Sequence, residues 1–349
     1  MCPPKRFKMK ILSIGELLMR LTVPDNLRFT QANEFRLNIG GSEANVAMIL
    51  AQLGWDASVL SALPNNDLGD RITQQLHQFN VDTKHIARIG ERVGLYFLEE
   101  GSSIRSSRII YDRAYSSIND LTPKDIDWDE IFEGVTHLHW SGITPALSLN
   151  AALVCQEAVD LAHDLGVSIS CDLHFRKNLW AYGKTPTEVI APLLEKSALV
   201  LGDPTTIHAL TSLEMESKKI AAIESVDQLL PDYRKLMDRF PTIKGVSMLL
   251  RTIQSASQHD LKAVLVTDGE AFEAPSIKID TIKDRIGGGD AYMAGLLYGL
   301  NHYENKQEGL KFALATSALK HTISGDYFRG KAEEVEQIMN ASQLGKIIR

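Results

Sequence analysis

Apolar residues arrive along this chain in short blocks separated by polar breaks that carry glycine. Residues 9–15, Met-Lys-Ile-Leu-Ser-Ile-Gly, form an apolar run ended by glycine and predict a buried strand. Residues 17–22 and 35–39 instead alternate apolar and polar positions around a turn at Pro24, Asp25 and Asn26, the pattern of short antiparallel strands. Val46, Ile49, Leu50 and Leu53 recur at helical spacing behind Gly40-Gly41-Ser42 and stop at Gly54, with Ser42 as a plausible N-cap. Strand and helix alternate through residues 58–63 and 68–79. The rhythm breaks at residues 94–99 and 107–113, two β-type stretches flanking the turn Glu100-Gly101-Ser102-Ser103, which read as a hairpin. Alternation resumes with strands at 135–140, 167–172 and 197–201, separated by helices at 151–165 and 189–196, and apolar runs at 245–250 and 262–266 precede a glycine turn. Such alternation predicts βαβ units on a parallel sheet. The expected fold is α/β: a doubly wound, mostly parallel sheet flanked by helices, with a small β-sheet lid inserted in two pieces, about residues 16–39 and 93–118. Residues 1–8 read as a disordered tail and residues 9–349 as one domain, since no internal repeat or low-complexity linker divides the chain.

Composition narrows the function classes. The 349 residues are 44% hydrophobic and 23% charged, ample for a large core, and the formal net charge is -7. Basic residues cluster only at Lys5, Arg6, Lys8 and Lys10, so nucleic acid is not the expected partner. No apolar run is long enough to cross a bilayer, and the first residues lack the apolar core of a secretory signal, which makes the cytoplasm the expected compartment. The three cysteines, Cys2, Cys155 and Cys171, are odd in number and widely spaced, which speaks against a disulfide framework and against a structural zinc site.

The candidate chemistry sits in residues 284–300, which begin Asp284-Arg285-Ile286-Gly287-Gly288-Gly289-Asp290. Three consecutive glycines mark a special turn, because glycine loses the most backbone entropy inside a helix or strand. Met293, Ala294, Leu297 and Leu300 then predict a buried helix opening at Asp290. A turn of this kind leaves unpaired N–H groups at a helix N-terminus, with the positive end of the helix dipole behind them, and so forms an anion hole. A carboxylate at its mouth can take a proton from an alcohol while the amides hold a transferring phosphoryl group. The same residues also suit a simple turn and core helix with Asp290 as its N-cap.

The spacing of Asp284, Gly287, Gly289 and Asp290 before an apolar helix resembles the signature of the ribokinase-like (PfkB) sugar kinases; the commoner form has Ala where this chain has Gly288. The resemblance implies Asp290 as general base and the amides of Gly287, Gly288 and Gly289 as the anion hole. Gly40-Gly41 with Asn45, Gly94-Leu95-Tyr96, Tyr111-Asp112-Arg113, Ser141 to Pro145, and Asp172 to Arg176 followed by Leu179-Trp180 are similar, as an ordered set, to the subgroup of 2-keto-3-deoxygluconate kinases. That likeness implies sugar contacts from Gly41, Asn45, Tyr96, Tyr111, Arg113 and Arg176, with ATP and Mg2+ as cofactors. An acid sugar suits such a set, since its carboxylate needs a cation and its hydroxyls need amide partners.

Plainer readings stand beside these. Tyr96 and Tyr111 lie on strands where aromatic residues pack well, and Arg113 and Arg176 suit surface ion pairs. His137 and His139 share a strand face without a nearby third metal ligand, and Asp172 can be a strand-end site residue or a turn cap. Two departures from the family pattern matter. Its Asn-x-x-Glu motif, tied to magnesium and phosphate handling, is replaced by Asp203-Pro204-Thr205-Thr206, so the metal ligands stay open. Its Lys-x-Gly-x-x-Gly hairpin is replaced by residues 250–260, where Arg251, Ser255 and Ser257 are the candidates for nucleotide contacts alongside Gly287 and Gly289. The expected activity is transfer of the γ-phosphoryl group of ATP to a primary hydroxyl of 2-keto-3-deoxygluconate. A neutral-sugar kinase of fructokinase or ribokinase type and a catalytically silent sensor are the alternatives. An exposed lid edge further predicts a homo-oligomer, most simply a dimer, joined through the lid.

Overall fold

β1 (Lys10–Ile14) lies between two parallel neighbours, β9 (His137–Ser141) and β4 (Asp56–Leu63), and the main sheet grows outward from it. The structure is a computed structural model that describes residues 9–340 apart from 218, 219, 221, 222 and 224, so the tail expected at residues 1–8 lies outside the described residues. On one side of β1 follow β4 and β5 (Val81–Asp82), with β6 (Ile86–Arg88) pairing the end of β4. On the other side follow β9, β10 (Ser168–Asp172), β11 (Leu199–Leu201), β12 (Gly245–Ser255), β13 (Gln258–Thr267) and β14 (Glu270–Ile279). Pairing is parallel through β12 and antiparallel from β12 to β14. A second sheet holds β2 (Leu18–Thr22), β3 (Arg36–Gly40), β7 (Gly94–Glu99) and β8 (Arg108–Asp112) in the order β3-β2-β7-β8. This is the expected lid in two pieces, although its two halves meet through the parallel pair β2 and β7.

The helices are α1 (Ser42–Gln52), α2 (Asp67–Gln78), α3 (Trp128–Ile131), α4 (Thr144–Leu147), α5 (Leu149–Asp164) and α6 (Pro186–Leu194). They continue with α7 (Pro204–Thr211), α8 (Leu230–Arg239), α9 (Gly288–His302), α10 (Lys306–Lys320) and α11 (Ala332–Met339). Strand residues serve two cores by alternation: Ile11 and Val59 face a cluster with α1, α9 and α10, while Leu12 and Leu60 face one with α5, α6 and α8. α9 and α10 approach backbone to backbone where Gly299 meets Gly309. A Cβ on Gly299 would overlap the backbone of Gly309, and one on Gly295 would stand 2.8 Å from Thr316 Oγ1.

Several expected boundaries shift for local reasons. α9 starts at Gly288, not at Asp290, because Gly287 takes the left-handed conformation (φ 76°) that caps it, which puts Asp290 third in the helix. Ser42 opens α1 behind Gly41 (φ 147°) and is not its cap. Pro186 starts α6 three residues before the expected helix, with Thr185 and Glu188 completing a capping box. The runs at 245–250 and 262–266 are parts of two long strands, β12 and β13, whose tip carries Ser255, Ala256 and Ser257. That tip is tied to the lid turn: Ala256 N donates to the Ser103 carbonyl at 2.8 Å, and Ser103 N donates to Ser257 Oγ at 3.3 Å. Carboxyl ends of β1, β9, β10 and β11 open under the lid, where an open α/β sheet gathers its ligands.

Candidate active site

Two helix N-termini face each other beneath the lid. α1 follows a glycine pair and α9 follows the three-glycine turn, so each ends in amides without intrahelical partners. Asp290 lies between them, buried, with one carboxylate oxygen accepting from Ser42 Oγ at 2.8 Å and the other from Asn45 Nδ2 at 2.6 Å. Burial pushes its carboxyl up to about 7 against the pull of these two donors. A carboxylate poised there is half in base form near neutrality, which suits proton abstraction from a hydroxyl. Ser42 had been read only as a cap. Freed from capping, its hydroxyl orients the candidate base.

β10 ends in Asp172, of which one carboxylate oxygen, a ring nitrogen of His174 and a carboxylate oxygen of Asp290 all lie within 4.8 Å of one another. Its carboxyl is likewise raised to about 7, by burial first and by the Asp290 charge second. His174 adopts a positive φ of 35°, unusual outside glycine, and so turns its ring into this cluster. Arg176 Nη2 lies 2.6 Å from His174 Nε2. A guanidinium only donates, so Nε2 accepts and the proton of the neutral ring sits on Nδ1, facing Ser42 Oγ at 3.4 Å. Burial and the adjacent Arg176 hold the imidazole down at about 3. Arg176 itself is exposed and free to turn toward a ligand carboxylate.

Asp172, Arg176, Asp203, Arg251 and Gly289 share the wall of one cavity of about 370 Å3. Arg251 has no carboxylate partner among the described residues and faces it from β12. Ser257 lies apart, on a second cavity of about 350 Å3 between the lid and residues 281–286, and its hydroxyl is taken by the lid turn. Ser255 turns inward, accepting from Ser257 N at 3.2 Å. Of the three candidates on the hairpin, only Arg251 borders the cavity that Gly289 reaches.

The lid candidates divide in the same way. Tyr111 is half exposed on β8, stacked at a tilt 6.0 Å from Tyr96. Tyr96 is buried, and its hydroxyl donates to Asp326 at 2.5 Å. Arg113 is buried, and Glu16 accepts from its Nε at 2.8 Å. Glu16 also accepts from Ser116 Oγ. A ligand therefore meets Arg113 already neutralised. Gly41 lies so close to the Glu16 carbonyl that a Cβ would overlap it. Glu16, Arg20 and Asp326 have no signal in the sequence, because each is explained only by a partner distant along the chain.

Two other clusters are structural. His137 and His139 both share the Ser170 hydroxyl, at 2.9 and 3.0 Å, and burial holds their pKa values at about 4 and about 3. Asp203 caps α7, accepting from the amides and hydroxyls of Thr205 and Thr206.

The chain matches the model of the pfkB family carbohydrate kinase over residues 8–235 and 260–329. The interruption, residues 236–259, covers the end of α8, all of β12 and the hairpin tip, where the sequence departs from the family pattern. A 2-dehydro-3-deoxygalactonokinase of Haloferax volcanii is 28% identical over 346 residues, covering 96% of this chain and 98% of the relative. A crystal structure of 2-dehydro-3-deoxygluconokinase from Thermotoga maritima superposes with a TM-score of 0.89 at 35% identity, covering 95% of this chain and 99% of that one. A PfkB family carbohydrate kinase from Listeria grayi superposes with a TM-score of 0.87 at 31% identity, over 95% of this chain and 99% of that one.

Proposed function

The chain belongs to the pfkB family of carbohydrate kinases, and from that premise we propose that it moves the γ-phosphoryl group of ATP to a primary hydroxyl of 2-keto-3-deoxygluconate. Asp290, held between Ser42 and Asn45 at the N-terminus of α9, is the observation that carries this reading. It accepts the hydroxyl proton as the new O–P bond forms and the bond to the β-phosphate oxygen breaks. The amides of Gly287 and Gly289 hold the transferring oxygens, while Gly288 N donates to the Arg285 carbonyl at 3.3 Å and closes the turn; phosphoryl transfer depends mainly on positioning and charge stabilisation. Arg251 neutralises phosphate charge from β12, and Arg176 leaves His174 for the sugar carboxylate. The lid covers the acceptor and keeps water, the competing nucleophile, away.

Mg2+ suits the oxygens present. Among the described residues the Asp172 carboxylate accepts one hydrogen bond, from the His174 amide at 3.1 Å, and its second oxygen stands 3.8 Å from His174 Nδ1 on the cavity wall. Magnesium keeps most of its waters and needs one or two carboxylates besides phosphate, so Asp172 would hold it, and it would neutralise phosphate charge there; Asp203 spends both its oxygens on capping α7.

The acidic sugar rests on Arg176 and on the named activities of the relatives from Haloferax volcanii and Thermotoga maritima. One observation favours a neutral sugar instead: Glu16 occupies Arg113, so one free guanidinium awaits the ligand where two were expected. A coupled assay of ADP release separates the two, run with 2-keto-3-deoxygluconate, its galacto isomer, fructose and ribose, with and without Mg2+. The proposal expects the acid sugars to exceed the neutral ones by about tenfold or more, the value of one charge-assisted hydrogen bond. A preference for fructose or ribose overturns it.

The assembly we propose is a dimer through the outer lid face, in the cytoplasm. Leu37, Leu21, Phe97 and Ile110 are successive register partners across the four lid strands, and Phe35 packs edge-on to Phe97 at 5.6 Å. Phe35, Leu37 and Ile110 are exposed, which makes an apolar row for a second copy. Among the described residues no helix is long and apolar enough to cross a membrane.

A further inference from the structure

Arg20, on lid strand β2, is 1% exposed and holds two carboxylates at once. Its Nη2 lies 2.6 Å from Asp284 Oδ2 and its Nη1 3.2 Å from Asp284 Oδ1, while its Nε lies 3.0 Å from Asp326 Oδ1. Asp284 begins the glycine turn and also accepts the amides of Ile286 and Gly325, both at 3.0 Å. Lys320 Nζ donates to the Asp284 carbonyl at 3.0 Å. Two cations and two carboxylates therefore balance inside the protein.

We infer that Arg20 and Asp326 are positioning residues that set the shape of the phosphate-binding turn from the lid side of the site. Asp326 touches each part of the machinery. Its Oδ2 takes the Tyr96 hydroxyl, its carbonyl lies against Gly287 so closely that a Cβ there would overlap it, and its side chain fills the space beside Gly40. Gly40 precedes α1, which supplies Ser42 and Asn45 to the base, so both helix N-termini rest on one residue, α1 on the Asp326 carboxylate and α9 on its carbonyl. Breaking such a buried pair strands a charge, and the cheapest relief is movement of the turn that carries Asp284. Oxyanion donors lose their effect when displaced by a fraction of an ångström to an ångström. Burial alone would lower the Arg20 pKa, yet Asp326 and Asp284 hold it above its ordinary value, so the cation persists at any working pH.

The inference rests on the assignment of Gly287 and Gly289 to phosphate, and its test needs no sugar. Binding of the β,γ-imido analogue of ATP and of adenosine is measured by calorimetry for the wild type, Tyr96→Phe, Arg20→Lys and Asp326→Asn, each first shown folded by its thermal midpoint. Tyr96→Phe removes a single oxygen and keeps the test open if the other two variants fail to fold. The expected result is a loss of about threefold for Tyr96→Phe and tenfold or more for the other two in analogue binding, with adenosine affinity unchanged. Analogue binding within twofold of wild type in the folded variants, or equal losses for adenosine and analogue, overturns the inference. A wild type that binds adenosine but gains nothing from the phosphates refutes the phosphate assignment itself, and this outcome is visible before any variant is compared.

Discussion

Replacing Asp290 by asparagine is predicted to stop catalysis while making the protein more stable, and more so at higher pH. The folded carboxyl is raised from 3.8 to about 7, with burial as the leading cause. A group whose pKa rises on folding holds its proton more tightly in the native state. Its contribution to stability is therefore greatest below about pH 4 and is lost as the pH climbs from about 4 to about 7. At roughly 1.4 kcal/mol per unit, the ionised wild type at pH 8 carries a penalty of about 4 kcal/mol that asparagine does not. Against this, an amide cannot accept from both Ser42 and Asn45, and the lost bond costs about 2 kcal/mol. The balance is about 2 kcal/mol in favour of Asp290→Asn at pH 8 and close to zero at about pH 5. With an unfolding entropy of about 2.1 cal/mol/K per residue over 349 residues, that is a rise in Tm of about 3 °C at pH 8. Neutralising position 290 also removes the repulsion that helps to raise Asp172, which works in the same direction. Thermal melts at pH 5 and pH 8 read the stability, and ADP release reads a fall in kcat of about a hundredfold or more. The same Tm difference at both pH values, or a kcat within a few-fold of wild type, would refute the assignment of a strained base.

Arg113→Ala and Arg176→Ala are expected to fail differently. The first strands the buried Glu16 and should lower stability by about 3 kcal/mol, read by denaturant unfolding. The second should fold normally and lose most of the preference for acid over neutral sugars, and an unchanged ratio of kcat/KM values would remove Arg176 from carboxylate binding. Gly287→Ala forces a methyl onto the Asp326 carbonyl at a positive φ and should not yield a stable protein, whereas Gly289→Ala meets nothing within 4 Å and should fold. Melting curves for the pair separate the two, and equal stability would show that the turn is laxer than drawn. Leu37→Arg should keep the protein monomeric in light scattering by placing a charge in the apolar lid row; a dimer that persists would move the interface elsewhere.

The parts of the site that could be read in the sequence are those whose chemistry is local. Three consecutive glycines before an apolar helix announce an anion-binding turn, of which Gly287 alone needs the left-handed backbone (φ 76°), and Asp290 follows directly. The alternation of short apolar runs with helical ones gave the parallel sheet, and its interruptions gave the lid. Arg20, by contrast, reads as one polar position on an alternating strand, since Asp284 lies 264 residues away. Tyr96 reads as a packing aromatic, and its partner Asp326 lies 230 residues on. The likeness to the kinase subgroup assigns Arg113 to the ligand, and the carboxylate that pairs with it, Glu16, stands at the edge of another segment, 97 residues earlier. Charges were legible and their pairing was not. β14, α10 and α11 were also missed. α10 places buried residues on nearly every face, so no single apolar stripe stands out against polar positions.

The bare contact between α9 and α10 decides where Asp290 can be disturbed. Gly299 lies nine residues from Asp290 along a stiff helix, about 13 Å at 1.5 Å per residue. Because backbone there rests on the backbone of Gly309, α9 has a fulcrum without compressible side chains. A wedge of one methyl group at that point tilts the helix as a rigid beam and carries the carboxylate with it, while the pocket keeps every residue it had. Tolerance to substitution in this protein is thus set by leverage as well as by proximity, and the residues least able to change include a pair of glycines more than two helical turns from any bound sugar.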